Sequence, residues 1–245
     1  MRIYIVIVIL LFCNIAVAQT TYHGFFLGAN YSAIGLDART AGTSKSEYGT
    51  FKNPRIGYSV GYKFYYNVSP KVFFSTGATY KRMNLEFTRP YYNDPNWMIE
   101  NFSNISENVE LSRVLIPVNA YYTFINKENV SIYITTGAEI IFLNKIDRKA
   151  DYYIPGPPTG YVKGTFEGKQ DLKFDKGSIG VAAMGGIGTE FKINDKSFVI
   201  ELSFSGDISK NKFYTLHNIE GDSYFYGKVK SYELKVCHTF ALDFK

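Results

Sequence analysis

The chain has 245 residues, 27 Lys and Arg against 22 Asp and Glu, and a formal net charge of +5. Aromatic residues make up 17% of it, with 21 Tyr and 20 Phe, and glycine is frequent at 21 residues. The weak positive charge and the absence of any basic run argue against nucleic acid, and no segment beyond the first turns of the chain comes near the ~18 consecutive apolar residues of a helical membrane span.

The N-terminus reads MRIYIVIVILLFCNIAVAQ. Arg2 supplies a positive start, Ile3 to Phe12 an apolar stretch, and Ala16-Val17-Ala18 an A-x-A cleavage site before Gln19. Residues 1–18 are therefore expected to be a signal peptide, and 19–245 a single exported domain. Cys13 would leave with the signal, so the exported chain keeps Cys237 alone and forms no internal disulfide.

From residue 22 onward the chain alternates. Residues 22–36 set Phe25, Leu27, Ala29 and Tyr31 against Gly24, Gly28, Asn30 and Ser32. Residues 55–68 set Ile56, Tyr58, Val60, Tyr62, Phe64 and Tyr66 against Arg55, Gly57, Ser59, Gly61 and Lys63. The pattern returns at 71–87, 108–124, 130–143, 178–191, 197–206 and 228–244. Side chains alternate across a strand, so each stretch has one apolar face and one small, polar or charged face. Short turns fall near 68–70, 126–129 and 193–196; long connections fall near 38–53, 88–107, 146–176 and 207–226.

Eight strands with strict short–long alternation predict an all-β fold, an eight-stranded antiparallel up-and-down transmembrane β-barrel with short periplasmic turns and long extracellular loops. Aromatics gather at both ends of the apolar faces, as membrane girdles do. The rival is a soluble barrel of lipocalin type, which would turn the apolar face inward. The Gly/Ser/charged face suits a narrow interior, so the membrane barrel is the expectation.

Three stretches point to a family. The first strand FFLGANYS, the third strand TGATYKR and the fourth strand LIPVNAYYTF, with Ile116, Pro117, Val118, Tyr121 and Tyr122, resemble the PorT-like outer-membrane β-barrel family. The resemblance spans nearly the whole exported chain and implies the fold and the outer membrane. The namesake of the family is linked to protein secretion, a role the resemblance does not extend to this chain.

Candidate sites are of two kinds. Arg55, Lys63, Lys81 and Arg113 from strands two to four, and Glu139, Glu190, Glu201 and Glu233 from strands five to eight, are expected to point inward and form a lumen charge network. Such charges make either a structural plug or an ion or proton path; an interior just filled by side chains favours the plug. Tyr91, Tyr92, Trp97, Tyr152, Tyr153 and Tyr161 lie in two long loops and are candidates for binding a protein or glycan. The three histidines, His23, His217 and His238, have no serine and acid set on adjacent strands, so no catalytic residue is expected; His238 falls on a lipid-facing position. No metal spacing or nucleotide motif appears, so no cofactor is expected. The sequence thus predicts a monomeric, plugged barrel in contact with outer-membrane lipid, acting as a structural or interaction protein. A narrow channel and a lipid-modifying enzyme are the alternatives. Pro117 cannot donate to a ladder and a closed barrel has no free edge, so a bulge or a broken ladder is expected there.

Overall fold

The computed structural model describes residues 21–37, 50–89, 105–156, 160–171, 173–174, 177–193, 196–214 and 224–242. The expected signal peptide, with its expected cleavage residues Ala16, Ala18 and Gln19, lies outside them, as do Tyr91, Tyr92 and Trp97.

The described residues form eleven strands: β1 (Thr21–Asp37), β2 (Thr50–Asn67), β3 (Val72–Arg89), β4 (Ile105–Asn126), β5 (Val130–Gly156), β6 (Gly160–Asp171), β7 (Lys173–Phe174), β8 (Gly180–Ile193), β9 (Lys196–Asp207), β10 (Asn211–Tyr214) and β11 (Tyr224–Leu242). Eight of them are staves, in the order β1-β2-β3-β4-β5-β8-β9-β11, and β1 pairs β11 to close the barrel. Closure leaves no edge of the stave sheet unpaired in lipid. The other three strands lie in the long connections. β6 pairs β5 alone, while β7 and β10 extend the sheet beyond β11 at the same end. Residues 146–156, 160–171 and 211–214 fall in stretches where the sequence predicts loop. They are strand because β5 runs past its partner β8 at Ile141↔Gly180 and recruits β6 instead. Tyr152, Tyr153 and Tyr161 thus lie on a β5–β6 hairpin rather than in a coil.

Facing follows the alternation. Phe25, Leu27, Tyr31, Ile56, Val60, Ile134, Leu202, Leu234 and Val236 are exposed on the outside, while Asn30, Ser59, Lys63, Ser75, Lys81 and Glu233 are buried inside. The apolar face therefore meets lipid, opposite to a soluble barrel.

Bulges at three places interrupt the alternation, one of them at Phe124 on β4, between Thr123↔Tyr133 and Ile125↔Ile132 beside the short turn to β5. On β2 the register shifts twice between Lys52 and Tyr58, which leaves both Arg55 and Ile56 exposed. On β5 Phe142 is the extra residue between Val114↔Leu143 and Leu115↔Ile141. Beyond it the inward residues become Asn144 and Ile146 instead of the odd-numbered ones, because a bulge reverses the facing of all that follows.

Pro117 behaves as a proline in a closed sheet must. It keeps its pairing with Glu139 on β5, but the β3–β4 ladder breaks between Thr76↔Val118 and Thr79↔Leu115 and resumes in the same register. The missing N–H faces β3. Opposite the break, a Cβ on Gly77 would lie 1.9 Å from the Tyr62 carbonyl oxygen and 3.0 Å from the Lys63 Cα. Backbone cannot yield there as a side chain can. Gly77→Ala is expected to lower stability by about 2 kcal/mol or more, read from urea titration of heat-modifiable gel mobility in lipid vesicles. Gly35→Ala, where the nearest atom would be 4.0 Å away, is expected to match the parent.

Candidate functional site: the lumen

The inward side chains form stacked layers. Toward the short turns lies an aromatic layer of Phe26, Tyr65, Tyr121, Tyr133, Val199 and Cys237, with Tyr22 and Phe73 against it. Phe73 stacks on Tyr121 at 4.4 Å between centroids, and Tyr133 meets Tyr121 edge-on at 5.2 Å. Glycines make the room: a Cβ on Gly61 would sit 2.5 Å from the Phe26 ring, and one on Gly188 2.3 Å from the Tyr133 hydroxyl. Two of the large inward rings, Phe26 and Tyr133, are thus matched by inward glycines on other staves.

Above this layer runs a chain of alternating charges. Lys63 meets Glu201 at 3.5 Å, Glu201 meets Lys235 at 3.3 Å, Lys235 meets Glu233 at 3.6 Å, and Glu233 meets Lys81 at 3.0 Å. Hydroxyls complete the shells. Ser59 donates to Glu233, Tyr133 donates to Glu201 at 3.4 Å, and Lys235 and Lys81 donate to Ser203 and Ser205 at 3.0 and 3.5 Å. The Phe26 ring lies beneath the ammonium groups of Lys63 and Lys235, at 5.3 and 5.9 Å.

The chain holds three lysines and two glutamates. Glu139 is buried, with 6% of its surface exposed, opposite Pro117 and Ala182, and has no ion pair among the described residues. It lies within electrostatic reach of Lys235. It is the nearest further carboxyl to the lysine that the two paired glutamates leave in excess.

A second network ties the long-loop end. Arg113 grips Asp207 with two hydrogen bonds of 2.8 Å and donates to Asn211 at 3.0 Å and Asn144 at 3.1 Å. Asn144 donates to Asn211 at 2.7 Å, and Asn211 donates to Asp207 at 2.6 Å and to the Gly227 carbonyl at 3.1 Å. Asp207 also accepts from the Val229 amide at 3.0 Å. The guanidinium, whose planar fork matches the carboxylate, joins β4, β5, β9 and β10, and Asp207 and Asn211 carry the link on to β11. Beside this knot Leu115, Ile141, Phe174 and Ala182 pack together, and Phe174 from β7 fills the space above Gly180. Ile34, Met83, Leu85, Val109, Leu111, Ile146 and Val229 form a further apolar layer.

Of the eight inward charges expected, Lys63, Lys81, Arg113, Glu139, Glu201 and Glu233 are buried in the lumen. Arg55 is not. The β2 bulge turns it outward, where it pairs with Glu86 at 3.7 Å with half its side chain exposed. Glu190 is on the inward face but half-buried near the short-turn end, opposite Ser131 and Val199, with no ion pair among the described residues. Lys235, Asp207, Asn144 and Asn211 complete the networks. Lys235 was legible from its alternation. Asp207 and Asn211 stood in an expected loop, and Asn144 required the bulge.

On the outer face His23 bonds the Tyr62 hydroxyl. His238 packs edge-on to Phe198 and Phe240, at 4.7 and 4.3 Å. Among the described residues no three His, Cys, Asp or Glu side chains gather as a metal site.

Residues 5–236 match the family model described as the outer membrane protein beta-barrel domain. The chain belongs to that family, and the outer membrane is its compartment. No curated protein sequence matches it. Among solved structures it is similar to Ail of Yersinia pestis (14% identity, 91% of this chain and 100% of that chain, TM-score 0.40). It is also similar to OprG of Pseudomonas aeruginosa (10%, 92% and 96%, TM-score 0.48) and to the outer membrane protease OmpT of Escherichia coli (10%, 92% and 98%, TM-score 0.41).

The Arg113–Asp207 pair generates a test. Asp207→Ala strands a buried guanidinium and is expected to cost about 3–5 kcal/mol. The Arg113→Met/Asp207→Leu double variant, which removes both charges, is expected to recover most of that loss in the same urea titration.

Proposed function

We propose that the chain is a monomeric, non-enzymatic member of the PorT-like branch, exported by residues 1–18, that acts as a structural or interaction protein through its extracellular end. The filled lumen carries this reading. Aromatic, charged and apolar layers occupy the interior in succession, and the charges neutralise one another rather than line a free path. Binding is then left to what rises above the barrel. The β5–β6 hairpin extends the sheet well beyond the staves and bears Tyr152, Tyr153 and Tyr161, residue types that dominate binding hot spots. Tyr91, Tyr92 and Trp97 belong to the neighbouring long connection. A protein or glycan partner is the class this composition suits. Against catalysis, the described histidines contact Tyr62, Phe198 and Phe240 and no serine–acid pair.

Planar-bilayer recordings are expected to show no discrete conductance steps; regular single-channel steps would favour the narrow channel. Crosslinking on intact cells is expected to capture a partner with the parent chain, and about tenfold less of it with Tyr152→Ser/Tyr153→Ser/Tyr161→Ser, while heat-modifiable mobility stays unchanged. Altered lipid A or phospholipid profiles on overexpression would point instead to a lipid-modifying enzyme.

A further inference from the structure

β11 ends its lipid-facing run in two lysines. Val236, Leu234 and Tyr232 are exposed to the membrane, and the next outward residues are Lys230 and Lys228. Tyr232 pairs with Tyr31 on one side and Phe204 on the other, all three exposed, with the Phe204 and Tyr232 rings 5.2 Å apart. These rings form the girdle at the long-loop end. From Phe240 at the other girdle to Tyr232 is about 20 Å of tilted strand along the membrane normal, the height of an apolar band. Lys230 therefore stands at headgroup depth, one step beyond the ring layer.

Among the described residues the surroundings of the pair are bare. Lys230 pairs with Ala33 on β1 and Gly206 on β9, and Lys228 pairs with Gly35. A Cβ on Gly35 would meet only the Lys228 carbonyl at 4.0 Å, and one on Gly206 only the Phe204 ring at 3.7 Å. Pairing of β1 with β2 stops at Tyr31↔Ile56, so nothing on β2 flanks Ala33 in the ladder. Both lysines are exposed, and neither has an ion pair among the described residues. The outcome is a shallow trough floored by Ala33, Gly35 and Gly206, walled below by aromatic rings and crossed by two ammonium groups. Residues two apart on one strand face are about 6.6 Å apart, a distance from which two flexible lysines can converge on one anion.

We propose that Lys228 and Lys230 bind a phosphate group of an outer-leaflet glycolipid, whose acyl chains lie on Leu234 and Val236 and whose sugar lies in the trough over Ala33 and Gly206. Charge-assisted hydrogen bonds from the ammonium groups supply the attraction, strengthened at the edge of a low-dielectric slab. The girdle tyrosines present a polar tip and an apolar body at the level of the sugar. The inference rests on the outward register of β11 and on the outer-membrane location, and stands apart from partner binding by the hairpin.

The test uses the full chain folded in detergent and titrated by native mass spectrometry with diphosphorylated lipid A, with dephosphorylated lipid A and with inorganic phosphate. Diphosphorylated lipid A is expected to bind the parent about thirtyfold more tightly than Lys228→Gln/Lys230→Gln, while Lys228→Arg/Lys230→Arg retains binding. Lys71→Gln/Lys196→Gln, at the short-turn end, is expected to behave as the parent. Heat-modifiable mobility monitors folding. Should the double glutamine variant fail to fold, Ala33→Glu, which places a carboxylate beside Lys230, is expected to abolish binding from a parent-like barrel. Equal affinity of the parent for dephosphorylated lipid A, equal affinity of the lysine variant for the diphosphorylated form, or displacement of the lipid by an equal concentration of inorganic phosphate would each overturn the proposal.

Discussion

Closure of β1 on β11, residue by residue from Thr21↔Leu242 to Asp37↔Tyr226, is the constraint on which the rest of the structure depends. In lipid no water can satisfy a stray amide, so the sheet has to return to its first strand. Once it does, the register is set and so is the assignment of every side chain to lipid or lumen. The departures are few and local. Pro117 gives up its link to β3 without changing register, the bulges on β2 and β5 occur in the half toward the long connections, and the one at Phe124 on β4 lies beside the short turn to β5. Breaks are thus confined to where a neighbouring strand or an aqueous phase can compensate.

Inside the closed sheet, volume and charge are solved together. Eight staves leave an interior about as wide as its own side chains. Large rings such as Phe26 and Tyr133 fit because Gly61 and Gly188 vacate the opposing positions. The charged groups fit because they share partners. Glu201 serves Lys63 and Lys235, and Glu233 serves Lys235 and Lys81, so three cations need only two carboxylates in contact and a third, Glu139, at a distance. Arg113 does the same at the mouth, where its fork binds Asp207 and the two asparagines satisfy what remains. A network of this kind is rigid because removal of any member leaves another buried polar group without a partner. That rigidity joins the closed interior to the outward-projecting hairpin: the barrel is a fixed base, and recognition is displaced to its ends and rim.

Much of this was legible in the chain. The period of two, the short and long connections and the aromatic positions determined eight staves, their order and which face meets lipid, because lipid and lumen impose opposite chemistry on successive residues. Lys63, Lys81, Arg113, Glu201 and Glu233 were legible as inward for the same reason. Arg55 was not, since strict counting places it inside and the β2 bulge turns it out. Asn144 failed in the reverse sense, brought in by the extra residue at Phe142. Alternation is a local rule, and one inserted residue inverts it for all that follows. Asp207 and Asn211 carried no periodic signal because their role is to satisfy amides and a guanidinium at the point where the ladder changes partner from β9 to β10.

The amino-acid sequence by itself determined the class of fold, the membrane-facing surface and most of the charged residues that point inward. These depend on residue type and parity, both of which can be read one strand at a time. Only the tertiary structure decided which charge meets which, where the bulges fall, that the long connections build β6, β7 and β10, and that Lys228 and Lys230 stand beside Ala33, Gly35 and Gly206. Those features depend on the stagger between strands distant in the chain. Stagger is settled by closure of the whole barrel, to which every stave contributes and which none of them specifies alone.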